Sequence, residues 1–495
     1  MARLFVFGIG GTGSRVIKSL TMLLASGMKP GNFDTIIPIL IDPHKDLKEL
    51  NECKKLIRLY SKINERTYQD TTSISDGFFR TKMTTLKSVA TDKTLKDDIE
   101  FDERHNEPFG DFINKPGIRQ KSQSTLDLLS LLYSDKNFSQ PLSVGFKGNP
   151  HMGSVVLNSI IGGPAYNAFK STFAAGDRIF IISSVFGGTG AAGFPLLLQN
   201  FRQSDNQHLR DSYIGALSVM PYFKLSEPGQ TSDIDSNDFM TKTKSALTYY
   251  TRTDFTNLYD SMYYIADPDK QTDPYKNDEH KQENKSHIVE LLGALSIFHF
   301  ASNNSHRGSV NEYCLSANDE KINLDSIGNT TKEALGHNIT ALHLLSKLHP
   351  AIKSDAKSLT FCRVNDFSST FFSDTYFTDS ENGLETFFTN YYNTWISELN
   401  ENQRGFSPFN LKVTKSFNSL VNGESYQSDK HIFDNIIKRP TDISDLLNRV
   451  SLVATKKEVK QLNETLKFCQ YLSMCFKGTE SFINSKLKIK ENAKP

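Results

Sequence analysis

Ser183-Ser184-Val185-Phe186-Gly187-Gly188-Thr189-Gly190-Ala191-Ala192-Gly193 follows the apolar run Ile179-Phe180-Ile181-Ile182 and precedes Phe194 to Phe201. The run is short, branched and aromatic, which predicts a buried strand. Leu196, Leu197, Leu198 and Phe201 suit one face of a helix. A strand, a glycine turn with one hydroxyl and a helix start together present backbone N–H groups to an anion. The positive end of the helix dipole adds about 0.3–1 kcal/mol per charge. Glycine lets the backbone approach a phosphate closely, and Thr189 can donate to it. Taken alone, the loop is equally well a ligand-free turn.

Two further loops of this kind lie upstream. Leu4 to Phe7 is an apolar run ending in Gly8-Ile9-Gly10-Gly11-Thr12-Gly13-Ser14. Val16, Leu20, Leu23 and Leu24 then recur at helical spacing, and a second run, Ile36 to Ile41, leads into Asp42-Pro43. This is a βαβ start, and Gly8, Gly10 and Gly13 satisfy Gly-x-Gly-x-x-Gly, with Asp42 placed to meet a ribose. Leu142 to Phe146 predicts another strand, ending in Lys147-Gly148-Asn149-Pro150-His151 before a helix through Val155, Val156, Ile160 and Ile161. Lys147 or His151 is positioned to meet a phosphate, although Gly-Asn-Pro is also an ordinary turn. Runs at 213–220 and 261–266 complete six predicted strands alternating with helices. In a doubly wound parallel sheet their carboxyl ends share one edge, so the loops can converge on one ligand. No Gly-x-x-x-x-Gly-Lys-Ser/Thr occurs, which excludes a P-loop.

Composition narrows the classes. At 495 residues the chain is long enough for two or three domains, and 57 Lys+Arg balance 56 Asp+Glu, so no nucleic-acid partner is expected. The five cysteines (Cys53, Cys314, Cys362, Cys469, Cys475) show no metal-ligand spacing, and no metal site is assigned. With no signal peptide and no apolar run of about 18–20 residues, the expectation is a cytoplasmic protein with no membrane partner. The segments around Asp97-Asp98 and Asp102-Glu103, Ser226 to Asp238 and Asp267 to Lys285 are predicted to be polar loops or insertions. The most apolar helix carries Ile288, Leu291, Leu292, Leu295 and Phe298, with Asn284 at its start; apolarity on nearly all sides predicts burial. His287 and His299 take core or capping roles. Asn311 to Leu315 and Lys321 to Leu324 are expected strand pieces, and Ala334 to Leu348 a helix. The aromatic-dense stretch Phe361 to Trp395 carries Arg363 as its only cation, so it predicts a core or a protein interface rather than base stacking. Val459, Leu462, Leu466, Cys469, Leu472 and Phe476 predict a long C-terminal helix.

The chain resembles the tubulin/FtsZ superfamily, and within it the divergent bacterial tubulin-like proteins. Gly187-Gly188-Thr189-Gly190 matches the hallmark Gly-Gly-Gly-Thr-Gly-Ser/Thr-Gly loop after the fourth strand, with Phe186 and Ala192 where glycine is expected. Gly8 to Ser14 is similar to the family's N-terminal nucleotide loop, Gly148-Asn149-Pro150 to its third loop, and Asn284 to its base-reading Asn. The resemblance implies an α/β fold: a doubly wound parallel-sheet nucleotide-binding domain (1–283), a buried central helix (284–302) and an α+β C-terminal domain (303–495). It implies GTP or GDP as the ligand, with Mg, bound by Gly8, Gly10, Gly11, Thr12, Gly13, Asp42, Gly148, Asn149, Gly187, Gly188, Thr189, Gly190 and Asn284. It also implies a homo-oligomer or filament and a protein partner at the C-terminal aromatic region. Tubulins hydrolyse GTP with an acidic loop after the central helix. The similar string here is Ile322-Asn323-Leu324-Asp325, lying past the expected end of that helix, so Asp325 is the catalytic candidate and hydrolysis is expected to be slow. Three alternatives stay open: a non-polymerising nucleotide-gated scaffold, a ubiquitin-activating-type adenylating enzyme and an NAD-dependent oxidoreductase. The adenylating family shares Gly-x-Gly-Gly-x-Gly-Ser and the Asp at Asp42, but expects an acid at His44 and an Arg after Leu50-Asn51-Glu52.

Overall fold

The computed structural model describes residues 2–44, 47–67, 77–91, 94–95, 106–223, 238–267, 276–277, 282–303, 307–308, 310–315, 322–327, 329–402, 405–413, 417–422, 442–454 and 467–487. Seven strands form one parallel sheet: β1 (Arg3–Ile9), β2 (Thr35–Ile41), β3 (Lys82–Met83), β4 (Arg178–Ser184), β5 (Ile214–Val219), β6 (Ser261–Ile265) and β7 (Asn311–Leu315). Their order is β3-β2-β1-β4-β5-β6-β7, so the winding direction reverses between β1 and β4. The inner strands are the continuous apolar runs expected of strands covered on both faces.

The helices of the sheet domain include α1 (Gly10–Ala25), α2 (Lys48–Thr67), α3 (Gln123–Leu132), α4 (Pro150–Leu157), α5 (Gly188–Arg202), α6 (Asp238–Tyr250) and α7 (Ile288–Ser302). Phe5 and Phe7 meet Phe169, Phe173 and Phe201 on one face of the sheet. On the other face α1 packs against α7, where a Cβ on Gly293 would meet Leu217 Cδ2 at 2.8 Å and Val16 Cγ2 at 3.2 Å. The sheet is therefore doubly wound. As expected, α7 is buried on nearly every side. It starts at Ile288, however, not at Asn284: His287 caps it, its Nδ1 accepting from Val289 N at 3.1 Å and its own N–H donating to Glu290 Oε2 at 3.1 Å.

Leu142 to Phe146 is not a strand. Leu142–Val144 form a single 3-10 turn, Gly145 takes φ +76° and Gln140 Nε2 donates to the Gly145 carbonyl at 2.9 Å. The β1 edge that such a strand would need is occupied by β4. Asn311–Leu315 is a strand, but it pairs in parallel with β6 and extends the main sheet past residue 302. Ile322 makes only an isolated bridge to Phe406, and Leu324–Ser326 are one 3-10 turn.

Beyond β7 the described residues are mainly helical, with α8 (Asn329–Asp355), α9 (Asn393–Glu401), α10 (Ile443–Ala454) and α11 (Lys467–Phe482). Their β component is two isolated bridges, Ile322–Phe406 and Phe409–Val421. The aromatic stretch is core: Phe367, Phe372, Phe377, Phe387, Tyr392 and Trp395 are buried. That core locks onto the sheet domain. Trp395 Nε1 donates to Ser19 Oγ of α1 at 3.3 Å, and Phe387 and Phe476 meet Phe79 and Phe78 edge-on. Asp97, Asp98, Asp102, Glu103, residues 226–237 and 268–275, Val459, Leu462 and Leu466 lie outside the described residues.

Candidate functional site

Three helices begin at the carboxyl edge of the sheet without a side-chain cap: α1 after Ile9, α4 after Asn149 and α5 after Gly187. Their first-turn N–H groups therefore have no side-chain acceptor. The loops also touch one another. A Cβ on Gly10 would lie 3.5 Å from Thr189 Cβ and 3.8 Å from Gly190 N. A Cβ on Gly188 would lie 3.1 Å from Gly148 N and 3.3 Å from Asn149 N. The loops after β1 and β4, and the one opening α4, thus meet at the point where the winding reverses, the usual crevice for a ligand in such sheets. Among the described residues this is a concentration of N–H dipoles suited to an anion with several charged oxygens.

Several of these glycines also have a packing reason to lack a Cβ. A Cβ on Gly13 would lie 2.4 Å from the Gly8 carbonyl carbon, so this pair lets α1 sit on β1. A Cβ on Gly190 would meet Ser184 N and O at 2.8 Å, and one on Gly187 would meet Ser184 Oγ at 2.8 Å; both allow α5 to start tight against β4. Gly10 and Gly148 sit at φ +71° and +76°, where side chains are strained. Gly11 is half-buried in the first turn of α1, and Thr12 is buried with its Oγ1 accepting from Arg15 Nη2 at 3.3 Å. Asp42 Oδ1 accepts from His44 N at 2.9 Å in a local turn at the end of β2.

A buried ionic cluster lies beside the loops. Arg15 of α1 donates from Nη1 to Glu49 Oε2 of α2 at 2.6 Å, from Nε to Glu290 Oε1 of α7 at 2.8 Å, and from Nη2 to the Tyr222 hydroxyl at 3.1 Å. Tyr222 in turn donates to Glu290 Oε1 at 2.9 Å. Burial pushes the Glu290 carboxyl up against the pull of Arg15. Asn284 joins the cluster: its Nδ2 donates to Glu49 Oε1 at 3.1 Å, while its buried Oδ1 has no hydrogen-bond partner. Two residues on, Ser286 N and Oγ donate to Glu398 of α9 at 3.1 and 2.7 Å. Of this cluster the sequence singled out Asn284, for a base-reading role, and not Arg15, Glu49, Tyr222 or Glu290. The signals available were an arginine just before the apolar stretch of α1 and the His287-x-x-Glu290 capping pair.

The cations fall differently from expectation. Burial, and secondarily Lys242, hold the His151 imidazole below its usual range, so at neutral pH it is uncharged. Its ring stacks on Tyr133 at 5.3 Å. Lys242 of α6, not singled out from the sequence, brings its Nζ to 3.0 Å from where a Gly148 Cβ would stand. Asp325 sits in the turn before α8, where Asn323 Oδ1 accepts from its N–H at 2.8 Å. No group of three or more His, Cys, Asp or Glu able to hold a metal occurs among the described residues. No helix among them is long and apolar enough to cross a membrane.

Fold and site together define an α/β protein in which three uncapped helix starts meet at one edge of a parallel sheet. No protein-family model matches the chain, and no curated protein matches it. Among solved structures it is similar to CetZ from Methanosaeta thermophila, with 12% identity and a TM-score of 0.28 over 69% of this chain. The match spans 60% of that structure's chain.

Proposed function

We propose that the chain is a tubulin-like protein that binds a guanine nucleotide at the carboxyl edge of its sheet. The observation that carries this reading is the meeting of three uncapped helix N-termini through Gly10, Gly148-Asn149 and Gly188-Thr189. A di- or triphosphate has enough anionic oxygens to engage all three, which a single carboxylate lacks. Asn284 supports the base assignment, since its buried, unpartnered Oδ1 suits the N1–H and N2–H donors of guanine. GTP or GDP with Mg is the ligand in this reading, the phosphate oxygens supplying most of the metal's ligands. In this reading Asp325 acts on a nucleotide held by a second copy of the chain, and self-assembly into filaments belongs to the same proposal.

Denaturing the purified protein and chromatographing what it releases is the direct test. Guanine nucleotide supports the reading; NAD or ATP alone sinks it. The double variant Gly188→Ala, Thr189→Ala should lose nucleotide while staying folded, because the new methyl at 188 crowds the Gly148 and Asn149 amides. Unchanged retention removes that loop from the site. Assembly is checked by GTP-dependent light scattering and pelleting, and a strict monomer at high concentration defeats it.

A further inference from the structure

Between Phe109 and Gln140 the chain leaves the sheet domain and returns to it at one neck. There Phe109 N donates to the Gln140 carbonyl at 3.0 Å, and Leu142 N to the Glu107 carbonyl at 3.2 Å. Beyond the neck stands a hairpin of a short helix, Lys115–Lys121, and α3. Both helices are capped from within it: Asn114 Oδ1 accepts from Gly117 N at 3.2 Å, and Ser122 Oγ from Thr125 N at 3.3 Å. Buried Phe109, Tyr133 and Phe138 fix the base, and the Tyr133 ring stacks on His151 at the start of α4. No residue from 111 to 132 is buried.

Five leucines in the seven residues Leu126 to Leu132 ordinarily mark a helix covered on more than one side. Leu129 packs inward against the core. Leu128, Leu131 and Leu132 do not: they are 55, 84 and 57% exposed. At about 3.6 residues per turn these three share one stripe of α3 with Ser124 and Thr125, both exposed. Such a stripe, at i, i+1, i+4, i+7 and i+8, is the face by which one helix packs on another. It is small at its N-terminal end and large at its C-terminal end. The flanking charges differ in the same direction. Exposed Arg119 and Lys121 precede α3, while Asp135, its side chain fully exposed, follows it with Lys115 Nζ 3.7 Å away. Asp127, beside the stripe, is satisfied within the helix by Gln123 Nε2 at 2.7 Å. Asp135 shares its end with Lys136, so the leucines rather than the charges supply most of the attraction. A face graded in this way is complementary to itself turned end for end. A parallel pairing would instead set Asp135 on Asp135.

We propose that this hairpin face binds a second copy of the chain, the two α3 helices pairing antiparallel about a two-fold axis at Leu128. Leu131 and Leu132 of each copy then lie over Thr125 and Ser124 of the other, and Lys121 faces Asp135 at both ends. Ten residues of helix span about 15 Å, so the face buries less than the roughly 800 Å² a side of a standard interface, and the dimer is transient. Its symmetry closes the contact at two copies. It needs no nucleotide and does not rest on the nucleotide reading.

Sedimentation equilibrium of the full chain, with GDP present throughout, is the test. A reversible dimer with a dissociation constant on the order of 100 µM is expected. Leu131→Glu, at a position too exposed to carry the fold, should weaken it about tenfold or more. Lys121→Asp and Asp135→Lys should each weaken it about two- to threefold. Mixing those two variants should restore it, because the mixed dimer regains opposite charges at both ends. A chain that stays monomeric at several times that concentration overturns the proposal, as does a dimer indifferent to Leu131→Glu. A mixture that associates no better than either variant alone overturns the antiparallel pairing. Flotation of a monomeric chain with phosphatidylglycerol vesicles, lost in Leu131→Glu, would give the face to lipid instead. GTP-dependent pelleting measured on Leu131→Glu isolates filament formation, so filament and dimer can fail separately.

Discussion

At the carboxyl edge of the sheet three helices start without side-chain caps, a buried Asn284 oxygen has no partner and a cluster of two carboxylates shares one arginine. In the C-terminal half many polar groups of the aromatic core close on one another, although Thr340 Oγ1 and His343 Nε2 of α8 are buried without a hydrogen-bond partner. Ser368 and Asp374 cap the short helices that follow them. His349 Nδ1 meets the Tyr471 hydroxyl at 2.7 Å and its Nε2 meets Glu385 at 3.3 Å, with its ring flat on Phe377. Donors and acceptors left open in a buried region cost stability and call for an explanation, of which a ligand is the one proposed above for the sheet edge. A region that closes them is built to hold a shape. The aromatic density from Phe361 to Trp395 builds a core, and the glycine density brings the three loops into close contact.

The strongest way to break this contrast is at Arg15. Arg15→Met leaves Glu49 and Glu290 buried without their counter-charge, and removing one partner of a buried pair typically costs about 3–5 kcal/mol. The urea midpoint should fall accordingly, and Glu290→Gln added to Arg15→Met should recover part of the loss. A variant as stable as the parent would make the cluster an incidental surface pair. Next in size is Gly13→Ala, whose methyl would lie 2.4 Å from the Gly8 carbonyl carbon. Forcing α1 off β1 should cost about 1–3 kcal/mol with or without nucleotide. The Gly188 and Thr189 changes should show the converse, nucleotide lost and stability kept. If Gly13→Ala instead costs stability only when nucleotide is bound, Gly13 belongs to the ligand and not to the packing.

Much of the sheet was legible because parallel strands buried on both faces are written as short apolar runs, and each was followed by a local turn signal. The glycine loops were legible for the same reason: a strand, a turn and a helix start are contiguous in sequence. Leu142 to Phe146 misled because apolar residues at alternate positions look the same whether or not a sheet edge is free to receive them. The two-residue β3 carries no pattern at all. The Arg15 cluster escaped because its partners lie 34, 207 and 275 residues away, on α2, after β5 and on α7. The placement of Trp395 against Ser19, 376 residues apart, escaped for the same reason. The turn contact by which Asp42 Oδ1 accepts from the His44 amide was likewise not readable from the motif that singled Asp42 out.

The smallest expected effect separates the two regions by pH. His343 of α8 is buried, stacked on Phe409 at 4.3 Å, with the Tyr392 hydroxyl 3.3 Å from Nδ1. Burial, with Lys347 adding to it, pulls its pKa from 6.5 down to about 3. The folded chain thus keeps the ring neutral while the unfolded chain takes up a proton below about pH 6.5. Its share of the stability is full above that point and is lost as the pH falls towards 3, by up to about 1.4 kcal/mol per pH unit. Glu290 runs in the opposite sense: its pKa is raised from 4.5, so what it contributes is present below that value and declines as the pH rises through the folded one. Between pH 6.5 and 5, acid should therefore weaken the closed C-terminal core before the open edge. Urea midpoints measured across that range should fall with pH in the parent, and the slope should flatten in His343→Phe, whatever that change does to the absolute stability. An identical slope in the two proteins would mean that the C-terminal core carries no buried proton-sensitive group at this position, and the contrast would then rest on hydrogen bonding alone.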